Sequence, residues 1–130
     1  MATEPVFTRT TKVWIDPDGI VRIESLPGFD ERLEDAQENV DVVNSLVGST
    51  GTLMLVDIRK LKSIDRSARE YYATARGSKS GNRAMAMLVG SAVSKIVGNF
   101  IIGAFSRATV PTRLFTNEAD ALDWLKKFPG

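Results

Sequence analysis

Leu53–Glu70 reads LMLVDIRKLKSIDRSARE. Its first four residues are all apolar, and the run stops on Asp57. A basic loop follows (Arg59, Lys60, Lys62), and Ser63-Ile64-Asp65-Arg66-Ser67 then reads as the start of a helix. A short, uninterrupted apolar run of this kind is a strand buried on both faces, as in a parallel sheet. In open α/β sheets, ligands and partners gather just beyond the carboxyl ends of such strands. This is where a site is expected.

On the N-terminal side, Val13 and Ile15 share one face with Trp14 on the other, and Val21 and Ile23 alternate with Arg22 and Glu24. Asp16-Pro17-Asp18-Gly19 lies between the two runs; Pro sets φ and Gly takes the left-handed position, so the pair is a hairpin. Pro27-Gly28 ends its second strand. Asp30–Val47 reads as a helix, with Leu33, Ala36, Val40, Val43 and Val47 at three- and four-residue steps. Asp30 and Glu31 would complement its positive end, and Gly48 would terminate it.

On the C-terminal side, Ala68, Tyr71, Tyr72 and Ala75 mark the face of a second helix, broken by Gly77-Ser78. Ala84–Val89 is the next strand. A third helix follows, with Val93, Ile96, Val97, Phe100 and Ile101 on one stripe. Arg113–Phe115 is a short last strand, and Thr116 or Asn117 caps a closing helix carrying Leu122, Leu125 and Phe128. The order β-β-α-β-α-β-α-β-α predicts an α/β fold in a single domain spanning 1–130. Its sheet should be mostly parallel, with about five strands, an antiparallel hairpin strand at the N-terminal edge and about four covering helices.

Composition bounds the chemistry. The 130 residues include no cysteine and no histidine, which removes disulfides, thiolate sites, Ser-His-Asp triads and the usual zinc sites. Neither an enzyme nor a cofactor is expected, and no metal site. Met1–Lys12 has no apolar core segment, so a leader is not expected and the cytoplasm is the default location. Ala84–Phe105 is long enough to span a bilayer, but Lys95 and Asn99 interrupt it and Gly90-Ser91 breaks it. No transmembrane span is expected.

The element order together with Leu53–Ser67 resembles the STAS domain, the fold of bacterial anti-sigma-factor antagonists and of sulfate-transporter tails. The pieces that carry it are LMLVD, IDRSAR, AMAMLVG with the helix after it, and LFTNEADALDWL. The chain looks most like the small standalone bacterial proteins grouped as STAS- or SEC14-like. In the antagonists, Asp-Ser-Ser/Thr-Gly opens the helix after the central strand and carries a phosphorylatable hydroxyl. Here the run is Asp65-Arg66-Ser67-Ala68, so the resemblance leaves Ser67 as the one candidate phospho-acceptor. The structural alternative is capping: Asp65 is a good N-cap, and Ser67 to Glu70 has capping-box spacing.

Asp57, Arg59, Lys60, Asp65, Arg66 and Arg69 form the candidate ligand or partner surface. For Asp57 the alternative is a loop anchor that bonds backbone amides near Arg59. Eight Lys/Arg between Arg59 and Arg83 face two acids, a balance of +6, while Asp16–Asp41 has a balance of −7. Such a segmental dipole suits an acidic partner, anionic headgroups or two copies meeting charge to charge. Nucleic acid is not expected, because the net charge is only +1. Arg76–Asn82 lacks the order of a phosphate loop and reads as a helix-to-strand turn. Ile102 and Phe105 lie off the third helix's stripe, so this helix asks for a second burial surface. Phe100, Ile101, Ile102 and Phe105 are therefore the candidate subunit interface or apolar pocket. The expected function is a non-enzymatic, STAS-like regulatory module that binds a protein partner or itself, as a homodimer. The alternative is a SEC14-like carrier of a small apolar or lipid ligand whose anionic head lies near Arg59, Lys60 or Arg66.

Overall fold

The computed structural model describes residues 2–47, 51–72, 82–107 and 111–128, with the backbone alone at 82, 102 and 104–107. The chain enters through β1 (Val6–Phe7), β2 (Thr11–Ile15) and β3 (Val21–Ser25), an antiparallel set in which Val13 pairs with both Val6 and Ile23. The hairpin turn forms as its residues dictate. Asp16 Oδ1 accepts from the amides of Asp18 (2.9 Å) and Ile20 (3.0 Å), and Gly19 takes φ +82°. A side chain there would be strained, since L-residues avoid this region.

Beyond β3 come β4 (Asp30–Glu31), α1 (Leu33–Val47), β5 (Thr52–Asp57), β6 (Ser63–Ile64) and α2 (Arg66–Tyr71). The chain finishes with β7 (Asn82–Leu88), α3 (Ala92–Arg107), β8 (Thr112–Phe115) and α4 (Glu118–Leu125). The main sheet has the order β1-β2-β3-β5-β7-β8, and β3, β5, β7 and β8 run parallel. β5, the apolar run Leu53–Val56 with its flanking residues, lies inside this sheet, as its composition requires. Alternation on β5 and β7 splits the interior into two cores. Met54, Met85 and Met87 face a core shared with Val43 of α1 and with Val97 and Ile101 of α3. Leu53, Leu55, Ala84, Ala86 and Leu88 face the other core, where α4 seats Ala121 and Leu125. Trp14 is half-buried, flanked by Lys12 and Arg22 at 4.7 and 5.5 Å from its ring.

Three expectations are corrected. Asp30 and Glu31 do not open α1; they are extended and pair in parallel with Ser63 and Ile64 in a small second sheet. The extended segment is held from outside, by Arg9 donating to the Asp30 carbonyl (2.7 Å) and Ser63 donating to the Asp30 carboxylate. Helix α1 begins after Arg32, whose N–H is accepted by Asp35 Oδ2 at 2.9 Å, the reach-back half of a capping box. Second, the short strands β1, β4 and β6 join the expected five.

Third, α3 does not bury the expected stripe. Its inward side is Ser94, Val97, Gly98 and Ile101, whereas Val93, Ile96 and Phe100 face solvent. Small residues decide the face. A Cβ on Gly98 would meet Leu114 Cδ2 at 2.9 Å and Val89 Cγ1 at 3.0 Å, so the helix backbone lies directly on β8 and the end of β7. Ser94, fully buried, closes the helix start: its Oγ accepts from the amides of Gly90 and Ser91, each at 2.9 Å, while Ser91 Oγ accepts from the Ser94 amide at 3.0 Å. Ala75, the Gly77-Ser78 break and most of the Arg76–Asn82 turn lie outside the described residues, as does Gly48.

Candidate functional site

The loop after β5 is built from its own charges. Asp57 Oδ1 accepts from the Arg59 amide and from Arg59 Nε, each at 3.0 Å, and Oδ2 accepts from Arg59 Nη2 at 2.7 Å. Burial pushes the Asp57 carboxyl up, but the side-chain and backbone hydrogen bonds from Arg59 outweigh it and hold the group below its ordinary range. Asp57 thus anchors the loop. Asp65 is the N-cap of α2, its Oδ1 accepting from the Ala68 amide at 2.9 Å. Its own amide donates to the Glu31 carbonyl at 2.9 Å, tying the helix start to β4.

Ser67, Arg66 and Lys60 are exposed around this loop and helix start. Arg66 pairs with Glu70 one turn on (3.1 Å), and Arg69 lies over the Phe100 ring at 5.8 Å, joining α2 to α3. The two charged segments answer each other in part: Lys62 meets Asp30 at 3.6 Å. Arg22, within the acidic segment, pairs with Asp16 and Glu118. The strand-end region is thus a charged, structurally engaged surface.

Behind it lies a cavity of about 100 Å³ between the sheet, helices α1 and α3, and Tyr72 at the end of α2. Its walls are apolar, with Ile23, Met54, Val56, Met85 and Met87 from the sheet and Val43, Val97 and Ile101 from the helices. Ile101 is on the cavity wall. Phe100 is on the solvent side, and the side chains of Ile102 and Phe105 lie outside the described residues. Arg59, Lys60 and Arg66 do not belong to the described lining.

One end of the cavity is polar, and sequence reading missed it. Asn39, 3% exposed, fills all its hydrogen-bonding capacity: Nδ2 donates to Tyr72 Oη (2.9 Å) and Thr10 Oγ1 (3.1 Å), and Oδ1 accepts from Thr8 and Thr11 (2.5 and 3.0 Å). Tyr72 in turn donates its hydroxyl to Glu31 Oε2. Glu31 is buried, and burial pushes its carboxyl above the ordinary value against the downward pull of its hydrogen bonds with Tyr72 and Thr10. The Tyr72 phenol is raised well above its ordinary value, by burial first and by the Glu31 charge second. Beside this end, Arg9 holds Asp35 in a bidentate pair at 2.8 and 2.6 Å, which keeps that carboxyl low. The one sequence signal was Asn39 itself, a polar residue within the apolar steps of α1.

The outward side of α3 is the second feature. Val93, Ile96 and Phe100 are 40%, 68% and 43% exposed, three of the six large apolar side chains found exposed among the described residues. Gly103 continues the row, with open space where a Cβ would stand. Among the described residues no group of His, Cys, Asp or Glu is placed to hold a metal ion, and no helix is long and apolar enough to cross a membrane.

This architecture is the SpoIIAA-like, or STAS, fold that the sequence resemblance implied. The crystal structure of an uncharacterized protein of the DUF3478 family with a SpoIIAA-like fold, from Shewanella loihica PV-4, matches with a TM-score of 0.61 at 15% identity, over 96% of this chain and 92% of that one. A protein of unknown function from Arthrobacter sp. FB24 is 29% identical over 88% of this chain and 97% of that one, with a TM-score of 0.32. The chain belongs to the family described as a domain of unknown function, DUF7793, whose model matches residues 13–129. No curated protein matches it.

Proposed function

We propose that this chain is a non-catalytic, STAS-like association module that pairs with a second copy of itself through the outer side of α3. The observation that carries the reading is the exposed row Val93, Ile96, Phe100 and Gly103. Its 3-4-3 spacing is that of a helix-pairing seam, in which successive turns present knobs to a facing helix. A soluble surface does not keep such a row bare without use.

The row is also self-complementary. In an antiparallel two-fold pairing centred between Ile96 and Phe100, Ile96 meets the partner's Phe100 and Val93 meets the partner's Gly103. Each contact then occurs twice, as an isologous interface requires. A large ring faces a mid-sized side chain, and a β-branched one faces an open glycine. Lys95 is exposed on the neighbouring surface of α3, and Arg69 covers the edge of the row by stacking on Phe100. The prominent carboxylates fit a non-catalytic role, since Asp57 and Asp65 are engaged in the loop clamp and the helix cap.

Sedimentation over a wide concentration range tests the reading. The wild-type chain should associate to a dimer with little dependence on salt, and Ile96→Asp should be monomeric with an unchanged circular-dichroism spectrum. A wild-type chain that stays monomeric at every concentration, or an Ile96→Asp chain that dimerises equally well, overturns it.

A further inference from the structure

We infer that the cavity beneath α1 and α3 binds a small uncharged apolar molecule bearing one hydroxyl, with that hydroxyl set against Glu31. The cavity faces the inner side of α3, through Val97 and Ile101, so this assignment stands apart from the pairing of its outer side.

Size comes first. An engineered apolar cavity of about 150 Å³ admits benzene, and this one, at about 100 Å³, is smaller, so a single six-membered ring is the upper limit and enters only as the walls yield. Three of the wall residues are methionines, Met54, Met85 and Met87. Their unbranched thioethers adapt to a guest and make favourable contacts with aromatic edges. Branched aliphatic walls alone would be less forgiving.

Polarity comes second. Apolar walls exclude a charged guest, because an ion stripped of water here is not repaid. The described lining holds no cation, and an anionic guest would also meet Glu31. A carboxyl group has lone-pair sites beyond those engaged by Tyr72 and Thr10. A hydroxyl donates to Glu31 when it is ionised and accepts from it when it is protonated. One hydroxyl is therefore satisfied in either state.

The test uses the wild-type chain labelled with ¹³C at its methionine methyls. Of the chain's four methionines, Met54, Met85 and Met87 line the cavity. Phenol, toluene and benzoate are the probes; the first two differ by a hydroxyl in place of a methyl group. Phenol should shift Met54, Met85 and Met87 saturably, and benzoate should shift none of them. In Glu31→Leu the preference for phenol over toluene should fall about tenfold, the cost of stranding a buried donor. Glu31→Gln keeps an acceptor of the same shape and should hold that preference within about twofold, which covers the case of a Leu variant that does not fold. Ile96→Asp should bind phenol as the wild type does. Absence of a saturable phenol shift, binding of benzoate as tight as phenol, or an unchanged preference in Glu31→Leu overturns the inference.

Discussion

Glu31 carries the least expected chemistry at the level of single residues. Its folded-state carboxyl holds a proton more tightly than in the unfolded chain, because burial penalises the charge. Between the ordinary value of 4.5 and the raised one, the folded state therefore binds more protons, and stability falls as pH rises through that window. The stability difference between wild type and Glu31→Gln should be most favourable to the wild type below pH 4.5. It should decline as pH rises through the raised value and then level off. Chemical denaturation of both proteins across acid to neutral pH measures this, and a difference that grows with pH would show Glu31 to be held as a favoured charge. Asp57, Asp65 and Asn117 were legible in the sequence because they act on amides two or three residues away. Glu31 and Asn39 were not, because their partners Tyr72 and Thr8 are 41 and 31 positions off. Short-range chemistry can be read from a line of letters; a buried cluster assembled from distant segments cannot.

For the elements, length and regularity governed what could be foreseen. The strands β2, β3, β5 and β7 each carry enough alternating or continuous apolar residues to show a period. The paired dipeptides β4 and β6 are too short for any period, and the two acids of β4 looked like helix-start chemistry. α3 was recognised as a helix, yet its buried side was misassigned. Hydrophobicity favoured Val93, Ile96 and Phe100, whereas the backbone approach at Gly98 and the cap at Ser94 turned those residues outward. The start of α2 yields a direct comparison of the two readings of its hydroxyl-bearing turn. Asp65→Ala should lower the unfolding free energy by about 1 kcal/mol, the usual loss for an N-cap. Ser67→Ala, at an exposed helical position, should stay within about 0.5 kcal/mol. Urea midpoints of the two variants decide it, and the reverse order would mean that Ser67, and not Asp65, secures the helix.

For the whole molecule, one sheet serves two cores. Leu53 and Leu55 belong to one and Met54 and Val56 to the other, on the same strand. Neither core can be lost while the other persists, so unfolding should be a single cooperative transition. In a Trp14→Phe background the fluorescence of Trp124, packed between Phe115 and Phe128, should change together with the far-ultraviolet circular dichroism. Separate midpoints would show that α4 detaches on its own. The order of strands and helices, and with it the fold, was legible because each unit of the alternation announces itself locally. The division of helices, three on one side and one on the other, follows the same logic: right-handed crossovers between parallel strands that advance in one direction put α1, α2 and α3 on one face, while α4 closes no such crossover and covers the other. Gly98 draws a last consequence from that packing. A Cβ there would run into Leu114 and Val89, which belong to two different segments of chain. The three positions are therefore coupled: a side chain gained at 98 requires Leu114 to change rotamer, a shorter residue at 114 or 89, or a lifted helix that opens the space beneath it.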